Sequence, residues 1–359
     1  MGRRVTCPAP QFPSLDLPGK DGCSMKAFSN NLADMKTYCE KNKSALKHKA
    51  GRTVVSALRY AFLIGMSFVM VYPVLFILSA AFKNIQDVYD PTVVWLPKHF
   101  SLQPLQLALE VLDFENSIMR TLSVTMPSVF LQLASSLLAG YGFARFRFRG
   151  KSILFALLIF TIIVPVQTYM IPLYVEFKNF DYFGIGSLIG LFTGKTLQTS
   201  LVNTNLPFYI MAALGAGIRS GLYIFMLRQF FMGMPRELDE AASIDGCNPL
   251  QTFLKVMLPN AVPMMVTIVV FSLVWYWNDY YLSSMFFNNT PPLSQKLTEL
   301  SSLLDFSGQV TTITKQELIF LKEGILACGC LVTILPPLIL YIFAQKFFTE
   351  GLERSGIVG

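Results

Sequence analysis

Glu240-Ala241-Ala242-Ser243-Ile244-Asp245-Gly246, followed by Asn248-Pro249 and then by Val256-Met257-Leu258-Pro259, is a polar island between two long apolar segments. It spells two short helices with a sharp corner between them. Pro235 suits a first helical position, where its missing N–H costs nothing. Residues 236–245 can then run as one helix, with Gly246 in the left-handed closing position. Asn248 can cap a second helix that Pro249 opens, and Gln251 stands where a capping box wants Glu or Gln. Pro259 ends that helix and starts the next apolar segment. A compact helix–Gly–helix between two such segments is built to be gripped by something outside the membrane; the alternative is an ordinary interfacial loop.

Composition places the whole chain in a lipid bilayer. Apolar residues make up 53%, charged residues 14%, and mean hydropathy is +0.50, whereas soluble domains carry about 25% charged residues. Residues 1–50 hold no continuous apolar run, so no cleavable signal peptide is expected. They carry nine Lys or Arg against four acidic residues and read as a mobile basic tail; a short helix across 31–49 on anionic lipid is the weaker option. Cys7, Cys23 and Cys39 lie in this tail without C-x2-C spacing, and the nearby histidine is His48, so a zinc site is not expected. Cys328 and Cys330 read as small buried hydrophobes.

Apolar runs long enough for a hydrocarbon core of about 30 Å give six spans, at 60–82, 121–144, 152–175, 206–231, 260–287 and 324–345. The stretch 83–116, with Trp95, Pro97 and His99, reads as interfacial, and 188–192 as a re-entrant or surface piece. With the amino terminus inside, the inner segments hold twenty Lys and Arg and the outer ones eight. Positive charge stays on the cytoplasmic side, so both termini and the helix–Gly–helix loop are expected there. The fold class is all-α integral membrane. The expected division is a basic tail at 1–53, a membrane domain at 54–347 with the loop at 232–258, and a closing tail at 348–359.

The residues offer no catalytic constellation. His48 and His99 fall on opposite sides of the membrane, which precludes a shared triad or metal cluster. Gly194-Lys195-Thr196 resembles the end of a phosphate-binding loop, but the first glycine that loop needs would be at Ile189. The energy source must therefore be a partner. Within the apolar runs, Arg219 and Asp279 stand out, because charge in a bilayer is expensive. Arg219 can snorkel, pair with a carboxylate, or lie at a helix break after Gly215 and Gly217. Trp277-Asn278-Asp279-Tyr280 combines aromatic faces with planar polar groups suited to sugar hydroxyls; the other reading is an aromatic belt or a contact with a partner.

Glu240-Ala241-Ala242, the glycine six residues after the glutamate and Leu258-Pro259 twelve after the glycine together resemble the signature cytoplasmic loop of ABC importer permeases that depend on a binding protein. Arg228-Gln229-Phe230-Phe231, Pro235-Arg236-Glu237-Leu238 and Trp277-Asn278-Asp279-Tyr280 are similar to the carbohydrate-uptake branch, of the maltose or glycerol-phosphate type. Val256 departs mildly from the isoleucine the pattern favours. The likeness spans roughly residues 54–359.

This resemblance implies a type I permease fold that is not itself an enzyme. It implies a second permease, two ATP-binding subunits that carry ATP and Mg, an extracytoplasmic solute-binding protein, a sugar cargo and a location in the bacterial inner membrane. No cofactor is expected on this chain, and nucleic acid is not expected as a partner. Glu240, Ala241, Ala242, Asp245, Gly246, Leu258 and Pro259 would then couple to the ATPase, with Leu238, Ala241 and Ala242 as the apolar contact face. Trp277, Asn278, Asp279 and Tyr280 would line the substrate pathway. A secondary transporter or channel for a small solute, and an importer for a non-sugar cargo, are the competing readings.

Overall fold

A computed structural model describes residues 25–93, 95–193, 198–306 and 315–356. It divides into two compact units, residues 1–72 and 73–359. The long helix α1 (Met25–Ala81) supplies the described part of the first unit and its last turns belong to the second. Its first half covers residues expected as a mobile tail. Residues 25–50 contain neither glycine nor proline, so nothing in the backbone interrupts the helix before the apolar run begins. From Thr53 to Tyr72 every side chain is exposed.

The second unit is helical apart from two isolated bridges, Lys83 with Phe100 and Phe180 with Thr199. After α1 come α2 (Ile85–Tyr89), α3 (Gln103–Val111) and α4 (Phe114–Arg145). The segment around α2 is closed by charge. Asn84 caps α2, and the buried Asp87 carboxylate accepts from the His99 amide at 2.8 Å and faces the His99 ring at 2.8 Å. Burial alone would raise the Asp87 pKa, but the bonds from His99 outweigh it and hold the carboxyl below its usual value. Lys98 and Thr92 do the same for Asp90.

Next come α5 (Lys151–Ile163), α6 (Val166–Lys178), α7 (Ile185–Thr193), α8 (Leu206–Ala213) and α9 (Ser220–Gly233). Beyond them lie α10 (Glu237–Ile244), α11 (Pro249–Thr252), a π-helical turn Phe253–Met257, α12 (Leu258–Asn260) and α13 (Val262–Trp277). The last elements are α14 (Tyr281–Phe286), α15 (Leu293–Phe306) and α16 (Lys315–Gly356).

Three single helices are long and apolar enough to cross a bilayer: Thr53–Ala81, Phe114–Arg145 and Gln316–Gln345. Two bent pairs bring the number to five, α5 with α6 at 103° and Pro249–Asn260 with α13 at 75°. Among the described residues, three of the six expected apolar runs are therefore not single helices. The run at 152–175 turns at Val164-Pro165, where proline cannot continue the hydrogen-bond ladder. The run at 206–231 is two helices, separated at 214–219 where Gly215 and Arg219 have φ of +71° and +60°. The run at 260–287 stops at Asn278 and resumes as α14. Gly194-Lys195-Thr196 lies outside the described residues.

Helix α4 is the element the others pack on: α8, α9, α13 and α15 all contact it. Its buried side is polar and small. Ser117, Thr121, Thr125, Ser128, Gln132 and Ser136 recur at three- and four-residue spacing, which puts them on one face. In a bilayer, small residues at a helix interface let backbones approach. Gly140 shows how close this is, since a Cβ there would sit 2.6 Å from Leu227 Cβ and 3.2 Å from Arg228 N. A Cβ at Gly65 would meet nothing within 4 Å. Thermal unfolding of the purified chain in detergent should therefore separate two variants. Gly140→Val is expected to lose several degrees, corresponding to an overpacking cost of about 1–3 kcal/mol, and Gly65→Val to leave the transition unchanged; equal effects would contradict the close α4–α9 contact.

Candidate functional site

The polar island folds as a helix, a corner and a second helix. Helix α10 begins at Glu237, two residues later than Pro235 suggested, with Arg236 as its N-cap. Glu237, Asp239 and Glu240 crowd its first turn, where the helix dipole favours negative charge. At the other end Gly246 has φ +81°. Gly246 N donates to Ser243 O at 3.1 Å and Cys247 N to Ala242 O at 2.9 Å, the paired bonds of a left-handed closing turn. Asn248 then caps α11. Its Oδ1 accepts from Gln251 N at 2.8 Å, and Gln251 Oε1 accepts from Asn248 N at 3.0 Å. The chain's own local code thus accounts for the corner and the capping box.

The loop has an inner and an outer side. Inward, Ala242 is 5% exposed, and half-buried Leu238 packs against a cluster that includes Phe253, Met257, Tyr141 and Phe231. Tyr141 lies 4.8 Å from the Phe253 ring and 5.5 Å from that of Phe231. Leu258 is half-buried against the same cluster and Pro259 is exposed. Outward, Ile244 is 86% exposed, with Ala241, Glu240, Asp245 and Leu250 also exposed. Of the apolar contact face expected from Leu238, Ala241 and Ala242, Leu238 is half-buried and Ala242 buried, while Ala241 is exposed, as are Ile244 and Leu250. Among the described residues no group pairs with the Glu240 carboxylate.

One tie fastens this loop to the scaffold. Arg145, the last residue of α4 and only 10% exposed, places Nε 3.2 Å from Asp239 Oδ2. Its Nη2 donates to Met234 O at 3.1 Å. One side chain thereby holds α10 and the turn leading into it. Beside the tie lies an open groove of about 340 Å³, lined by Tyr141, Arg145, Arg147, Arg236, Asp239 and Glu240 among others. The sequence marks Arg145 only as the end of a span; no spacing rule links it to Asp239.

The second expected site does not converge. Trp277 is buried and its Nε1 donates to Thr333 O at 3.0 Å. The Asp279 carboxylate accepts from Ser283 N and Ser283 Oγ, each at 2.8 Å, so it caps α14. Asn278 is exposed and donates to Val274 O, while Tyr280 is half-buried. Trp277 and Asp279 thus direct their polar atoms to partners within the chain. Arg219 lies at a helix break, with its guanidinium carbon 4.4 Å from the Trp275 ring centroid.

The family described as binding-protein-dependent transport system inner membrane component matches residues 133–353. The chain belongs to that family. Protein LplC of Bacillus subtilis (strain 168) is 25% identical over 313 residues, covering 87% of this chain and 97% of that protein. A probable starch degradation products transport system permease protein, AmyC of Thermoanaerobacterium thermosulfurigenes, is 27% identical over 292 residues, covering 81% and 93%. The fold is similar to that of a chain in the crystal structure of a bacterial ABC transporter involved in the import of the acidic polysaccharide alginate. There the TM-score is 0.63 at 20% identity, covering 82% of this chain and 96% of that one.

If Arg145 and Asp239 hold the loop together, a double-mutant cycle should report it. Arg145→Ala and Asp239→Ala should each raise hydrogen exchange of the 237–247 amides, with a coupling of about 1 kcal/mol between them. Strictly additive effects would mean that the pair does not tie the loop.

Proposed function

We propose that this chain, as a member of that family, is one membrane-spanning permease subunit of an ATP-driven importer for a sugar or oligosaccharide. Hydrolysis takes place on two partner ATP-binding subunits, which carry ATP and Mg, and this chain contributes half of the translocation pathway. A second permease and an extracytoplasmic solute-binding protein complete the assembly in the inner membrane, with both termini cytoplasmic. On this reading residues 1–53 form a basic cytoplasmic tail, 54–347 the membrane domain and 348–359 the closing tail. The sugar reading is supported by relatives named for starch degradation products, alpha-glucosides and arabinooligosaccharides.

The observation that carries the coupling role is the two-sided loop. Its inner side is fixed to α4 by Arg145 and by the packed cluster around Tyr141, while its outer side presents Ile244, Ala241 and the unpaired Glu240. A loop held this way moves with the helices it is fastened to. Closure of two ATP-binding subunits would push Glu240, Ala241, Asp245 and Ile244, and the push would reach α4, α9 and α13 as a rigid-body shift between inward- and outward-open states. Glu240 would take a charge-assisted hydrogen bond from a basic group on the ATP-binding partner. Ala242, Leu258 and Pro259 would act from within, by holding the loop's shape. Gly246 sets the corner, and a β-carbon at its positive φ costs about 1 kcal/mol or more. On the pathway side, Asn278 and Tyr280 are the members of the aromatic cluster nearest to cargo, since Trp277 and Asp279 serve the fold.

Co-purification in mild detergent tests this reading. The wild-type chain should bring down a second permease and an ATPase, and Glu240→Lys and Gly246→Val should lose the ATPase while keeping the permease. A chain that purifies alone and moves solute in liposomes without ATP would be a secondary transporter instead.

A further inference from the structure

The break between α8 and α9 holds an arginine that the coupling role does not use. Its depth is fixed by a hydrogen bond, because Gln132 Nε2 on α4 donates to Ile218 O at 2.6 Å. Gln132 lies roughly 18 Å along α4 from Arg120 and 20 Å from Arg145, at 1.5 Å per residue. Arg219, the next residue after Ile218, is therefore about midway between Arg120 and Arg145 along that helix. It is exposed, and among the described residues it has neither a carboxylate nor a hydrogen-bond acceptor on its guanidinium. Its contact is with Trp275, whose ring lies 4.4 Å from the guanidinium carbon and whose side chain is 43% exposed. Tyr169, 42% exposed on α6, is within electrostatic reach of both this cation and the Asp279 carboxylate.

A cation at this depth is costly against hydrocarbon, and charged side chains there face the bundle interior, a water-filled cavity or an opposite charge. The Trp275 face spreads the charge, while the planar fork of the guanidinium suits bidentate binding of a carboxylate or phosphate. The neighbouring aromatic rings offer flat surfaces for the apolar faces of a sugar.

We infer that Arg219 and Trp275 form an anion-recognition point on the translocation path, and that the cargo is a saccharide carrying a carboxylate or a phosphate. The inference rests on the importer reading above and narrows it.

Uptake by cells making the complete transporter tests it with matched probes: digalacturonate against its neutral dimethyl ester, and glucose 1-phosphate against glucose. The wild type should take up at least one charged member in preference to its neutral partner, a comparison that needs no variant. Digalacturonate preference identifies the carboxylate source and glucose 1-phosphate preference the phosphate. At matched membrane levels, Arg219→Gln should cut that uptake about ten-fold, the effect of losing a charge-assisted bond, and Arg219→Lys should keep a measurable part.

No preference for a charged member in the wild type would overturn the inference, and so would equal charged uptake by Arg219→Gln. Loss of the second permease from purified Arg219→Gln would overturn it as well, by assigning the arginine to the subunit interface. Uptake that persists without ATP but keeps its dependence on Arg219 would remove the importer reading and leave the recognition point standing.

Discussion

A bilayer gives no water to an unpaired backbone group, so every departure from helix in the membrane must be satisfied by protein. The rest of this structure depends on how α4 meets that demand. Its buried face carries side chains that are small enough for close packing and polar enough to reach foreign backbone. Gln132 satisfies the carbonyl of Ile218 in the break, and Ser135 Oγ donates to Ala212 O at 2.7 Å where α8 ends. Thr121 Oγ1 accepts from Leu293 N at 2.9 Å at the start of α15. Tyr209 OH, from α8, donates to Ser123 O. One helix therefore fixes the depth of several others, and its end holds the loop through Arg145.

The loop was legible in the sequence because its code is local. Gly246 closes one helix, and Asn248, Pro249 and Gln251 open the next within four residues, so each instruction acts on its neighbours. The family resemblance rested on the same stretch and on its spacing to Leu258-Pro259. Which face of α10 would be buried was not legible. Ala241 and Ala242 are chemically alike, and nothing in their immediate neighbours says that Ala242 is the one buried.

The breaks were harder to see for a related reason. Hydropathy reads 206–231 as one apolar run, and nothing in the run says that Gln132, 86 residues from Ile218, will accommodate an unwound segment there. Gly215, Gly217 and Arg219 marked the place without deciding among snorkelling, pairing and a break. At Trp277 and Asp279 residue type alone does not separate the two readings; their polar atoms have partners inside the chain, the indole N–H on Thr333 O within α16 and the carboxylate on the Ser283 amide of α14.

Together these features describe a lever: a loop with a free outer face, a tie at Arg145, and a central helix to which the broken helices are bonded. In that lever the outer face of α10 would meet an ATP-binding partner and the inner face would not. Single-cysteine cross-linking in native membranes, with all six native cysteines replaced by serine, tests this most directly. Ile244→Cys should cross-link to the ATPase and Ala242→Cys should not. A cross-link from position 242 with none from 244 would contradict the account.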